Sequence, residues 1–287
     1  MMSRSLPLCS DYALRSNQTQ ANEADQTMDI SSFKYINSHF GNHQLAYCRT
    51  PASTVEANAP GLIFLPGFKS DLTGTKAQAC ADWAALKGLS CLRFDYFGHG
   101  QSSGDFREGT ISGWREEVNT VLRQLTEGPQ ILIGSSFGGF LASLVALDQP
   151  DRVKGLILIA PAIDMTERLM LPEMSAQDRE TLIEKGEIIR ASEYDPEGYP
   201  ITHRLIEDGR QHCLLTGPIE LRLPIHILHG QCDDAVPWHL SLEFAEACAS
   251  TDITMEFFKS GDHRLSEPHE IQALTGALER LVQKLRL

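Results

Sequence analysis

The sequence predicts an α/β fold, a mostly parallel sheet with helices on both faces and a helical cap inserted late in the chain. Three observations carry this. Short apolar runs, among them Leu62-Ile63-Phe64-Leu65, Ile131-Leu132-Ile133 and Leu156 to Ala160, alternate with longer segments of helical periodicity. That rhythm belongs to right-handed strand–helix–strand units. The runs are apolar at every position, as parallel strands covered on both faces must be. The alternation stops between about Asp164 and Arg222 and resumes at Ile225-His226-Ile227-Leu228.

Taken in order, the first thirty residues are polar, rich in Asn, Gln, Ser and Asp, and lack the apolar stretch of a secretory signal. Arg4 and Arg15 among serines favour a mitochondrial transit peptide, but Asp11, Glu23, Asp25 and Asp29 oppose it. Residues 1–30 are therefore expected to be a disordered tail, and the chain cytoplasmic, with a mitochondrial location as the alternative. Leu45-Ala46-Tyr47-Cys48 reads as an edge strand. Leu62 to Leu65 reads as a buried strand ending at Pro66-Gly67. Thr75 to Leu86 has helical spacing. Leu92-Arg93-Phe94-Asp95 is a strand closed by the turn-rich Phe97-Gly98-His99-Gly100.

Trp114, Val118, Val121, Leu122 and Leu125 form one helical stripe, stopped by Gly128-Pro129. A strand at Ile131 to Gly134, a helix at Phe140 to Leu147 and a strand at Leu156 to Ala160 follow. These elements assign 31–163 and 223–287 to the core and 164–222 to the cap insertion. The insertion carries helical pieces, Pro172, Pro196, Pro200 and Pro218, and more acids than bases. A structureless loop of that length is uncommon.

Composition narrows the partners. The 287 residues carry a formal net charge of −13, which argues against nucleic acid and against an anionic membrane surface. No stretch reaches the roughly 18 consecutive apolar residues of a membrane span. Seven widely spaced cysteines without a C-x-x-C pair do not form a disulfide framework, so a reducing compartment is expected. The histidines are scattered, and neither metal-ligand spacing nor a phosphate-binding loop is present. No cofactor and no metal are therefore expected. No signature of oligomeric state is evident.

The strongest local signal is Gly134-Ser135-Ser136-Phe137-Gly138-Gly139, which fits G-x-S-x-G with a strand before it and a helix after it. A strand-to-helix elbow presents the central serine in a strained conformation, and small neighbours let other chain segments approach. Ser136 is the candidate nucleophile, and it needs an adjacent base. In this arrangement the chain order is serine, acid, histidine. Of the later histidines, His263 lies in Ser260-Gly261-Asp262-His263-Arg264, after the β-rich run Ile253 to Phe258 and before the last helix. That is a loop at the carboxyl end of a strand, where sites of open sheets gather. His229 ends a strand and is expected to be structural. His269 begins a helix and is expected in solvent.

The acid should follow the preceding strand, where Asp233 and Asp234 are adjacent. Their side chains point in different directions, so one should reach His263. Asp233 is favoured over Asp234, and Asp164 is the third candidate. The two oxyanion donors are expected to be the backbone N–H of Phe137, after the nucleophile, and that of Phe68 in Leu65-Pro66-Gly67-Phe68.

With these residues in place, residues 35–285 resemble the α/β-hydrolase superfamily. Within it they resemble the branch of acyl-protein thioesterases and acyl-glucuronide esterases, with mitochondrial animal members and bacterial relatives. The segments that carry the likeness are Gly67 to Lys76, Arg93-Phe94-Asp95-Tyr96, Gly128 to Leu132, Gly134 to Gly139, His212-Cys213-Leu214-Leu215, Asp233 to His239 and Asp262-His263-Arg264. The resemblance implies a triad of Ser136, Asp233 and His263, and hydrolysis of S-acyl cysteine thioesters and acyl-glucuronide esters. Its substrate would be a small-molecule ester or an acylated protein. Many relatives have His-Gly where this chain has Pro66-Gly67. The tail before residue 30 finds no match. A serine peptidase of the same fold and a non-catalytic binding protein are the rival readings. Leu169, Met170, Leu171 and Met174 either line an acyl pocket or pack the insertion onto the core.

Overall fold

The computed structural model describes residues 33–38, 42–53, 59–191 and 198–286. The expected tail, residues 1–30, lies outside them. The central sheet has eight strands: β1 (Lys34–Asn37), β2 (Gln44–Thr50), β3 (Gly61–Leu65), β4 (Cys91–Phe94), β5 (Gln130–Ser135), β6 (Val153–Ile159), β9 (Ile225–Gly230) and β10 (Ile253–Phe258). A separate pair, β7 (Glu187–Arg190) and β8 (Tyr199–Thr202), lies between β6 and β9 in sequence. The order across the main sheet is β1-β2-β4-β3-β5-β6-β9-β10, with β1/β2 and β2/β4 antiparallel and every other neighbour parallel.

The parallel strands are apolar throughout because they feed two cores, one on each face. Successive residues point to opposite faces. Ile63, Leu65, Leu132, Leu156, Leu158, Ile225 and Ile227 enter one cluster. Leu62, Phe64, Ile131, Ile133, Ile157, Ile159 and Leu228 enter the other. The first cluster is closed by α2 (Ile111–Leu125), α3 (Phe137–Asp148) and α7 (His239–Ala247), the second by α1 (Thr75–Lys87) and α8 (Pro268–Leu285). In α2 the apolar stripe is seated by Trp114, Val118, Val121 and Leu122, and the Thr110 hydroxyl caps the helix by accepting from Gly113 N–H at 3.0 Å. Pro268 at the first turn and a Glu267/Glu270 capping box start α8.

Two expectations are corrected. The Leu45–Cys48 strand is not at the edge: β2 pairs with both β1 and β4. The outer strand β1 has only half-buried or exposed residues and so leaves no apolar run in the sequence. The segment between β6 and β9 is also not wholly helical. It holds a π-helical turn (Thr166–Met170), α4 (Leu171–Glu173), α5 (Ala176–Lys185), the antiparallel β7–β8 ladder, and α6 (His203–Gly209) running into a 3-10 turn at Arg210–His212. Each of these strands has four residues, too few for a period to register. Pro200 sits within β8, where the two-stranded ladder leaves an edge that tolerates it.

Candidate active site

β5 ends at Ser135 and α3 begins at Phe137, so the turn between them is the single residue Ser136. Its backbone has φ 53 and ψ −116, a conformation that costs a non-glycine residue roughly 1–3 kcal/mol. Surrounding bonds hold it there. Ser136 N–H donates to Ile159 O at 2.8 Å, while Ser136 O accepts from Gly139 N–H at 2.9 Å and Ala162 N–H at 3.0 Å. Close packing explains the flanking glycines. A Cβ on Gly138 would lie 2.1 Å from Leu65 O, and one on Gly134 would lie 2.3 Å from Gly138 O.

The other two side chains arrive from loops at the carboxyl ends of β9 and β10. His263 Nδ1 lies 2.8 Å from Asp233 Oδ2, and His263 Nε2 lies 3.0 Å from Ser136 Oγ. A carboxylate only accepts, so Nδ1 carries the hydrogen and Nε2 is left to accept from the serine hydroxyl. That tautomer is the one a general base requires. The Asp233 side chain is fully buried and His263 is partly exposed, so the relay opens to solvent from the serine end. Burial by itself raises the proton affinity of Asp233. Hydrogen bonds from His229 and His263, the charge interaction with His263 and the Val236 N–H prevail, and hold its carboxyl well below the usual carboxylate range. The aspartate therefore stays ionised beside the imidazole.

Asp234 is exposed, and Asp164 is elsewhere. The Asp164 carboxylate accepts from Leu214 N–H at 2.7 Å and Leu215 N–H at 2.8 Å, tying the end of the inserted segment to its beginning. His269 is exposed at the start of α8. His229, expected to be structural, is buried and also touches Asp233, with Nε2 3.2 Å from Oδ2. The signal available in the sequence was its spacing, four residues before the acid at the end of a strand.

The loop after β3 lies against the serine: a Cβ on Gly67 would be 3.6 Å from Ser136 Cβ. Ser70 N–H closes a tight turn onto Gly67 O at 3.0 Å, and Tyr96 O–H donates to Pro66 O at 3.2 Å. That bond anchors the loop through the Pro66 carbonyl. Phe68 projects into an aromatic cluster, with ring centroids 4.8 Å from Phe106, 5.8 Å from Phe137, 5.9 Å from Trp114 and 6.1 Å from Tyr199. Phe137 N–H opens the first turn of α3, where it has no preceding helical carbonyl to bond and where the helix dipole favours a developing anion. Met170 and Met174 are buried in the main core, with Leu169 and Leu171 packed against it, which favours packing over pocket lining for these residues.

A second Ser–His–Asp cluster joins α2 to α6. Ser112 Oγ lies 2.6 Å from Asp208 Oδ1 and 2.7 Å from His212 Nε2, and Arg115 Nη1 lies 3.1 Å from His212 Nδ1. Arginine only donates, so Nδ1 accepts, Nε2–H donates to Ser112, and Ser112 gives its own hydrogen to Asp208. The imidazole here is a donor to the serine and is no base for it. Among the described residues there is no group of three or more His, Cys, Asp or Glu placed to hold a metal ion, and no helix long and apolar enough to cross a membrane.

The family model described as serine aminopeptidase, S33 matches residues 61–192. The chain is 39% identical over 244 residues to the mitochondrial palmitoyl-protein thioesterase ABHD10 of Bos taurus, covering 84% of this chain and 77% of that protein. The solved structure of α/β-hydrolase domain-containing protein 10 from mouse matches with a TM-score of 0.80 at 37% identity, covering 88% of this chain and 99% of that one. A putative hydrolase from Agrobacterium vitis S4 matches with a TM-score of 0.82 at 37% identity, covering 87% and 97%. The expected cytoplasmic location draws no support from these relatives, since ABHD10 is mitochondrial by name. Sequence identity at this level, spread over most of both partners and matched by the structural superposition, means that the chain belongs to the α/β-hydrolase family.

Proposed function

We propose that this chain is a serine hydrolase of carboxylic esters and acyl thioesters, S-acyl cysteine among them, working through an acyl-enzyme on Ser136. The observation that carries the reading is the unbroken hydrogen-bonded line from Ser136 Oγ through His263 to Asp233. Ser136 attacks the acyl carbonyl as His263 Nε2 takes its proton. The oxyanion collects at the backbone N–H groups of Phe137 and Phe68. His263 returns the proton to the departing thiolate or alkoxide, and water, activated by the same imidazole, then releases the acid. The segment 164–222 acts as a cap over this end of the sheet. Supporting that role, Tyr199 of β8 packs its ring on Phe68, and Glu187 of β7 pairs with Arg107 at 2.8 Å.

The palmitoyl-protein thioesterase relatives favour an acylated protein as substrate and a mitochondrial location. A panel of p-nitrophenyl esters and acyl thioesters of graded chain length tests the reading. The native chain should turn over both classes, and Ser136→Ala should lose about 10⁴-fold or more. Equal rates in the two proteins would refute the assignment. The description of the matching family model favours a second reading, a serine peptidase. Faster cleavage of peptide anilides than of any ester or thioester would select it.

A further inference from the structure

His229 takes no proton in the relay, yet it sits on it. It is the penultimate residue of β9, and it is wholly buried. Nε2 lies 3.2 Å from Asp233 Oδ2 and 3.0 Å from Val236 O, and Nδ1 lies 2.7 Å from Ser241 Oγ on α7. Carbonyl and carboxylate oxygens only accept, so Nε2 carries the hydrogen and shares it between them. Ser241 O–H therefore donates to Nδ1, and the serine fixes the tautomer. On the other carboxylate oxygen, Asp233 Oδ1 accepts from Ala235 N–H at 2.9 Å and Val236 N–H at 2.7 Å. With His263 and His229 on Oδ2, all four acceptor positions of the carboxylate are filled.

We propose that His229 is a positioning residue: its Nε2–H, locked by Ser241, fixes the rotation of the Asp233 carboxylate and shares its charge, so that the remaining lone pair of Oδ2 meets His263 Nδ1. The proposal rests on the reading of Ser136, His263 and Asp233 as the proton relay. The groups facing His229 are Asp233 from its own loop, Ser241 from α7 and, across Oδ2, His263 from the loop after β10. Phe257 is its partner on β10.

Two consequences separate this role from mere packing. Without the His229 N–H, the carboxylate regains charge and attracts the positive end of the relay more strongly, so the acidic limb of the rate profile moves to higher pH. The carboxylate is also freer to turn away, so turnover falls. A packing defect lowers the rate or the stability but leaves the titration where it was.

The test is the pH profile of kcat/KM on a p-nitrophenyl ester for the native chain, His229→Leu, His229→Gln and Ser241→Ala. His229→Leu should lose about ten- to hundredfold in kcat, the effect of removing one hydrogen bond to a charged group, with its acidic limb moved up by about half to one pH unit. His229→Gln places an amide N–H near the position of Nε2 and should recover most of the rate and return the limb. Ser241→Ala, smaller and outside the relay, should move the limb in the same direction by a smaller amount. An unmoved limb in both His229→Leu and Ser241→Ala overturns the proposal, and if His229→Leu fails to fold, an unmoved limb in Ser241→Ala alone does so. Fluorophosphonate labelling of Ser136→Ala separates this from the underlying reading: labelling that persists there sinks the relay itself, whereas its loss leaves only His229 in question.

Discussion

The stability of this chain should fall as pH rises through neutrality, and Glu117 is the reason. Glu117 lies inside α2 with no exposure, its Oε2 accepting from Phe97 N–H at 2.8 Å and its Oε1 within 3.1 Å of Ser38 Oγ. Burial pushes its carboxyl up to about 8, against 4.5 for a free glutamate, and those hydrogen bonds only partly offset it. Between these values the folded chain holds a proton that the unfolded chain has released. The folded state therefore binds more protons, and the contribution is complete below pH 4.5 and lost as pH rises towards about 8. At about 1.4 kcal/mol per pH unit, the window is worth on the order of 4–5 kcal/mol. Glu117→Gln mimics the neutral acid and does not titrate. Asp95, raised to about 7 by burial, has the same sign. His99, lowered to about 4, and Lys76, lowered to about 8, have the opposite sign in windows ending at 6.5 and 10.5. The difference between the native chain and Glu117→Gln isolates Glu117. Urea denaturation followed by circular dichroism at pH 5, 7 and 9 should show native stability dropping relative to the variant by several kcal/mol. Parallel pH dependences in the two proteins would refute the reasoning.

Three further outcomes follow from the geometry. Asp233→Asn should cost about 10⁴-fold in kcat by inverting the preferred His263 tautomer, while Asp234→Asn, at an exposed side chain, should stay near native in the same ester assay. Gly138→Ala drives a methyl into Leu65 O and should lower the melting midpoint and slow fluorophosphonate labelling together; a native-like rate at native stability would contradict the packing of the elbow. Ser112→Ala removes bonds to Asp208 and His212 and should cost about 1–3 kcal/mol in denaturation while leaving Ser136 fully labelled; loss of labelling would mean that the second cluster feeds the first.

The parallel sheet was legible because each central strand is apolar on both faces, and that pattern survives in one dimension. Ser136 was legible because a strand, a glycine-flanked turn and a helix are contiguous there. His263 and Asp233 were singled out by their places after successive strands, and the structure lines them up by hydrogen bonds with Ser136. What escaped depends on distance along the chain. Asp164 answers to amides 50 residues away, and Ser112 to an imidazole 100 residues away. No local period encodes either. The β7–β8 pair escaped because a four-residue strand has too few alternations to distinguish it from a loop. His229 was read as structural from its place at the end of a strand, and its hydrogen bond to Asp233 depends on how the following loop folds back.

The Asp164 carboxylate has a topological consequence. By holding Leu214 and Leu215 it brings the two ends of a fifty-residue excursion to one point. Seen from the sheet, that excursion is a detour with a zipped base, but it is not detached: Met170, Met174, Leu182, Ile201, Leu205 and Ile206 go down into the main core. A chain built this way can vary the outward face of the detour while those apolar anchors and the Asp164 tie hold its footing on the core.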